Sequence, residues 1–311
     1  MLKVVGKSKL VLLIAVVVLA MTLLAGCGQA KKEQPGVASG GASQELKVLR
    51  LGLIPAEDQE EMLKRFGPTI AYLEKKLGVK VEHFVATDYT GIIEAMRSGK
   101  IDVAFFGPFS YILAADKANA ESFAVGVRKS GKSTYQSIIL THKDSGIKSL
   151  DDLKGKDFAF VDPASTSGNL FPRVILRKAG IDPEKDFKSV IYAGGHDAVE
   201  LAVKNKKVAA GADNDITYEK MVGQKLISAD ENIILAKSDP IPGSPIVYRK
   251  DLPEDLRKKI KDAFLTMHQE DAAALGGYGD IIRYDEAKDN EYDVIRETAK
   301  ILNLDLNKMK G

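Results

Sequence analysis

The sequence predicts an α/β protein of two similar lobes, each a mostly parallel sheet flanked by helices, set behind an N-terminal leader and a flexible tether. Three observations lead there. Short apolar strands alternate with segments of helical period, and the alternation restarts about halfway along the chain. Beyond the tether, about 265 residues remain, more than one compact core comfortably holds.

The leader comes first in the chain. Lys3, Lys7 and Lys9 precede an uncharged apolar run over 10–25, the layout of a secretory signal peptide over 1–26. The run is short for a membrane span, which needs ~20 apolar residues, and no stop-transfer cluster follows it. It ends in Leu24-Ala25-Gly26-Cys27, which resembles a bacterial lipobox. That resemblance implies cleavage before Cys27, a diacylglycerol on its sulfur and retention on the extracytoplasmic face of the cell membrane; an uncleaved anchor helix with a chance cysteine is the alternative. Residues 27–45 are small and polar, a stretch that cannot bury a core and reads as a tether.

Composition removes several classes of function. Cys27 is the only cysteine, so no intramolecular disulfide or cysteine-based zinc site can form. His83, His142, His196 and His268 show no metal-ligand spacing, and neither a metal nor a cofactor is expected. The formal charge of +2 falls to about −1 once the three leader lysines are set aside, with both signs interspersed. Without a basic block or zinc-finger spacing, nucleic acid is not an expected partner.

In the first lobe, strands are expected over 48–54, 79–85 and 101–106, with helices over 57–77 and 89–98 between them. Met62, Leu63, Phe66, Ile70, Leu73 and Leu77 repeat at three and four residues, and Gly78 closes that helix. The second lobe repeats the pattern: a short capped helix over 149–156, strands over 157–161, 187–192 and 208–212, and helices over 170–179, 197–204 and 217–222. Extended segments over 135–141 and 233–249 read as crossovers, the second returning the chain to the first lobe. Helices over 253–267 and 291–302 complete it. The lobes are expected over 46–135 with 239–311, and over 136–238. In such sheets, ligands bind beyond the carboxyl ends of the strands.

Four stretches then fall at those strand ends and a fifth within the returning crossover. They are Asp88-Tyr89-Thr90-Gly91, Ala104-Phe105-Phe106-Gly107-Pro108, Asp162-Pro163-Ala164-Ser165-Thr166-Ser167-Gly168, Gly194-Gly195-His196-Asp197 and Ile241-Pro242-Gly243-Ser244-Pro245. In this order they resemble the phosphonate/phosphite/phosphate-binding proteins of ABC importers. The resemblance implies a type II periplasmic binding fold whose lobes close on a small phosphorus oxyanion. It also implies a monomer whose partners are a permease and its ATPase, held to the membrane by a lipid anchor, with no enzymatic activity. The same scaffold could serve a sulfonate, a pyrimidine or an amino acid, or present its ligand to a membrane sensor; fold alone does not decide. A hydrolase would need a nucleophile elbow and triad geometry that Ser167-Gly168 does not supply.

The residues offer matching chemistry. Ser165, Thr166 and Ser167 lie between a strand end and a helix start, where hydroxyls and backbone N–H groups can converge on an anion; a plain N-cap would need only one of them. The resemblance adds His196, Ser244 and the hydroxyls of Tyr89 and Tyr111 as ligand groups. Two positions depart from relatives that take aminoalkylphosphonates: Ile216 and Ser244 stand where those carry carboxylates. Asp213 and Asp215 could supply the missing charge or could simply cap the next helix.

Overall fold

A computed structural model describes residues 47–303; the expected signal peptide, Cys27 and the tether lie outside the described residues. The first lobe opens with β1 (Val48–Leu53), α1 (Gln59–Leu77), β2 (Lys80–Val85), α2 (Tyr89–Arg97), β3 (Val103–Phe105), α3 (Pro108–Lys117) and β4 (Ala120–Arg128). The chain crosses through β5 (Thr134–Tyr135) into β6 (Ser137–His142), β7 (Asp157–Phe160), α4 (Phe171–Lys178), α5 (Pro183–Asp186), β8 (Ser189–Tyr192), α6 (His196–Lys204), β9 (Ala210–Asn214), α7 (Asp215–Gly223) and β10 (Asn232–Lys237). It returns by β11 (Ile241–Pro242), which pairs antiparallel with β5, and finishes with β12 (Pro245–Arg249), α8 (Glu254–Glu270), β13 (Ile281–Glu286) and α9 (Asp293–Ile301).

Two sheets result, ordered β13-β4-β12-β3-β1-β2 and β10-β6-β9-β7-β8. They are mixed rather than mostly parallel. The local βαβ units are parallel as expected: β1 with β2 and β3, and β7 with β8 and β9. The crossing segments, expected as plain connections, themselves become strands, and they enter each sheet against the local direction. Thus β12 lies antiparallel between β3 and β4, and β6 lies antiparallel between β9 and β10.

α1 forms where its periodicity places it. Asp58 accepts from the Glu61 N–H as N-cap, Met62, Phe66 and Leu73 are buried, and Gly78 closes the helix at φ 68°. Phe66 packs edge-on against Phe105, with centroids 4.7 Å apart, which fixes α1 to the sheet beneath it. In the second lobe, the expected helix over 149–156 is a single 3₁₀ turn, Asp151–Leu153. The helix expected from 170 begins earlier, as a π-helical turn over Thr166–Leu170 with Ser165 as its N-cap. Gly168 is required there, because a Cβ would collide with the Val161 side chain, whose own N–H donates to the Gly168 carbonyl at 3.0 Å.

Candidate anion-binding site

One cavity of about 40 Å³ lies where the carboxyl ends of β1, β2 and β3 meet those of β7, β8 and β9. At ~10–15 Å³ per water-sized sphere, it has room for one small anion. Tyr89, Ser165, Thr166, Ser167, His196 and Ser244 all line it. Five helices begin at its wall: α2 with Tyr89, α3 behind its N-cap Gly107, the π-turn behind Ser165, α6 with His196, and α7 behind its N-cap Asn214. Helix N-termini carry partial positive charge and N–H groups without intrahelical acceptors. No lysine or arginine lines the cavity among the described residues, so these dipoles and the hydroxyls must supply the field for an anion.

The hydroxyl ring is held in place by bonds that leave its protons available. Ser165 Oγ accepts from the Gly168 N–H at 3.1 Å, and Thr166 Oγ1 accepts from the Phe109 N–H of α3 at 2.8 Å. Ser137 donates to the Ser167 carbonyl at 2.7 Å and anchors the turn to β6. Tyr89 is buried, and its hydroxyl oxygen has no hydrogen-bond partner. Burial pushes its pKa well above the ordinary phenolic value, so it stays a donor.

His196 begins α6, and its Nδ1 lies 2.5 Å from Asp213 Oδ1. Burial, working against the nearby charges of Glu57, Asp197 and Glu200, pushes the imidazole down to about 4, which leaves it neutral at pH 7.

Tyr111 requires a correction. The resemblance sets it beside Tyr89, but its hydroxyl donates to Asp289 Oδ1 at 2.6 Å, away from the cavity, and its ring packs against Tyr292. α3 is buried all round, and Tyr111 lies on the side that meets the C-terminal segment. Asp213 and Asp215 do not line the cavity either: the first backs His196, and the second accepts from the Gln136 N–H at 3.0 Å.

Five polar lining residues escaped the sequence reading: Glu57, Tyr135, Asn214, Thr217 and Tyr278. Glu57 sits just past β1, so the strand-end rule could have found it. Burial alone would raise its pKa, but the charges of Arg65 and Lys220 hold it below the ordinary carboxylate range. Lys220 reaches it from the other lobe at 2.7 Å. Tyr278 comes from the loop before β13 and donates to the Ile54 carbonyl at 3.2 Å, a contact between residues far apart in the chain. A second cavity of about 30 Å³ adjoins the first and shares Tyr135, Ile216, Ser244 and Tyr278 with it. Its one charged lining residue among those described is Arg128, already paired with Glu219 and Asp280.

Comparison with known proteins places this geometry. The family profile of ABC transporter, phosphonate, periplasmic substrate-binding proteins matches residues 51–292. The chain is 40% identical to the phosphonates-binding periplasmic protein of Escherichia coli over 228 residues, covering 72% of this chain and 67% of that one. It is 34% identical to the phosphate-import protein PhnD of Mycolicibacterium smegmatis, covering 78% and 77% respectively. Among solved structures, a binding protein component of a Pseudomonas aeruginosa ABC phosphonate transporter superposes with a TM-score of 0.76 at 30% identity, over 85% of this chain and 90% of that one. PhnD1 of Prochlorococcus marinus in complex with methylphosphonate superposes at 0.74 and 25% identity, over 83% and 99%. The chain therefore belongs to the phosphonate periplasmic substrate-binding proteins of ABC transporters, an extracytoplasmic family with the two-lobed type II binding fold.

Proposed function

We propose that this chain captures a small phosphorus oxyanion between its lobes and delivers it to an ABC permease and its ATPase, as a monomer lipid-anchored through Cys27 on the extracytoplasmic face of the cell membrane. Tyr89, Ser165, Thr166, Ser167, His196 and Ser244 form the ligand set, Tyr111 serves packing, and the lobes divide at 46–135 with 239–311 and at 136–238. The chain carries out no chemistry on its ligand. One observation carries this reading: five helix N-termini and the unpartnered Tyr89 hydroxyl converge on a cavity of about 40 Å³ that no basic side chain among the described residues lines.

The substituent side of the site narrows the ligand. The adjoining space of about 30 Å³ suits hydrogen or a methyl group. An aminoethyl group would bring an ammonium beside Ile216 and Arg128 with no free carboxylate to meet it, and burying an unpaired cation costs several kcal/mol. Phosphite, phosphate or methylphosphonate should therefore bind more tightly than aminoethylphosphonate. Competition calorimetry with the four anions tests this, and tighter binding of aminoethylphosphonate than of all three others refutes it. For the anchor, Cys27→Ser should abolish lipid labelling and release the protein from membranes; unchanged retention without label refutes it.

A further inference from the structure

The anion cavity and the smaller cavity beside it meet at a neck of four residues that line both, Tyr135, Ile216, Ser244 and Tyr278. Tyr135 sits on β5, Ile216 at the head of α7 and Ser244 between β11 and β12. Tyr278 comes from elsewhere, the loop over 271–280 that joins α8 to β13.

Its side chain runs from one cavity to the other. The residue before it, Gly277, lines only the smaller cavity, whereas its hydroxyl donates at 3.2 Å to the carbonyl of Ile54, which lines only the anion cavity. The ring between those two points therefore spans the neck.

The ring is held there by packing and by its loop. It meets Phe66 edge-on with centroids 5.8 Å apart, and Phe66 is itself fixed against Phe105 of β3. Arg65 Nη1 donates to the Gly277 carbonyl at 3.2 Å and Arg128 Nε to Asp280 Oδ1 at 3.1 Å, so the loop is pinned on both sides of the tyrosine. Gly277 and Gly279 stand at φ 132° and 102°, a backbone that side chains rarely allow, and this turns the loop back on itself around Tyr278. A Cβ on Gly279 would come within 3.1 Å of the Ile216 side chain, so the loop also abuts the opposite lobe at the neck.

We propose that Tyr278 is a specificity-determining residue: its ring sets how long a substituent on phosphorus can be, by narrowing the way from the anion cavity into the smaller one. A hydrogen, hydroxyl or methyl group is accepted beside the ring, and a longer alkyl chain is not. The inference rests on the oxyanion reading of the site and deepens it. The donors assigned to the anion, Tyr89, Ser165, Thr166, Ser167 and His196, line only the first cavity, so the substituent is what the ring confronts at the neck. A side chain that served packing alone would, once shortened, weaken every ligand by the same factor. One that limits length changes the ratio between ligands.

The test is calorimetry with phosphite and with methyl-, ethyl- and propylphosphonate on the wild type and on Tyr278→Ala, Tyr278→Leu and Tyr278→Phe. In the wild type, each carbon beyond the methyl should cost about tenfold or more, the worth of one misfitting methylene in an apolar pocket. Tyr278→Ala should narrow the gap between propylphosphonate and methylphosphonate by at least about tenfold. Tyr278→Leu, which still covers Phe66, should narrow it in the same direction and decides the matter if Tyr278→Ala does not fold. Tyr278→Phe keeps the ring and should keep the wild-type gap, even where the lost bond to Ile54 weakens all the ligands together. Equal wild-type affinity for methyl-, ethyl- and propylphosphonate, or a gap unchanged in the folded alanine or leucine variant, overturns the inference. Failure of phosphite and methylphosphonate alike to bind the wild type overturns the oxyanion reading itself and the length limit with it.

Discussion

A hydroxyl kept from water without a partner destabilises a fold, and Tyr89 holds one at the centre of the site. Tyr89→Phe should therefore leave thermal stability unchanged or higher, while weakening ligand binding about tenfold or more, the worth of one bond to a charged group. A melting curve paired with calorimetry checks both; equal loss of stability and affinity would make the tyrosine a packing residue. His196 makes a complementary statement in pH. Its pKa falls from 6.5 to about 4 on folding, so between those values the unfolded chain takes up a proton that the folded one refuses. Stability should thus decline as the pH drops through that window, by on the order of 3 kcal/mol if the whole shift is expressed. Urea titrations of the wild type and His196→Gln across the window should show the gap between them narrowing toward acid.

The elements differ in how plainly the sequence announces them. α1 is half exposed, so its apolar residues follow the helical period and the Gly78 cap ends it where expected. α3 runs Pro108–Lys117 with every residue from Pro108 to Ala114 buried, so no polar face marks it, and the sequence reading named no element between 106 and 135. That is also why Tyr111 was misplaced: a motif fixes where a residue falls in the chain, but not which side of a buried helix carries it. Tyr111→Phe should lower stability by about 1–2 kcal/mol through the lost bond to Asp289, and leave ligand affinity unchanged. The hydroxyls of Ser165, Thr166 and Ser167 were legible because βαβ topology dictates where such loops converge, whereas His196 entered through the family resemblance. Tyr278 and Tyr135 were not, since distant segments bring them in and no local spacing records it.

At the scale of the molecule, the two lobes touch through a few polar contacts around the cavity. The His196 N–H donates to the Ala56 carbonyl at 2.8 Å, the Asp58 N–H to Asp197 Oδ2 at 2.9 Å, and the Phe109 N–H to Thr166 Oγ1 at 2.8 Å. Lys220 adds an ion pair at 2.7 Å to buried Glu57, whose second cation, Arg65, belongs to its own lobe. Like the Arg128–Glu219 pair at 3.2 Å, it joins charged side chains of the two lobes, and it can be removed without altering the hydroxyls of Tyr89 and residues 165–167. Lys220→Met keeps the stem of the side chain and removes the charge, while Arg65 still neutralises Glu57, so the fold should hold. The balance should then move toward separated lobes in the free protein. Because only the closed form presents both halves of the donor set, apparent affinity falls in proportion to the closed fraction. Small-angle scattering should show a larger radius of gyration for free Lys220→Met than for the free wild type, and equal radii once both are saturated with methylphosphonate. The calorimetric loss should match the change in closed fraction. Weakened binding with no change in the free radius would mean that Lys220 acts on the anion through its charge and not through the lobes.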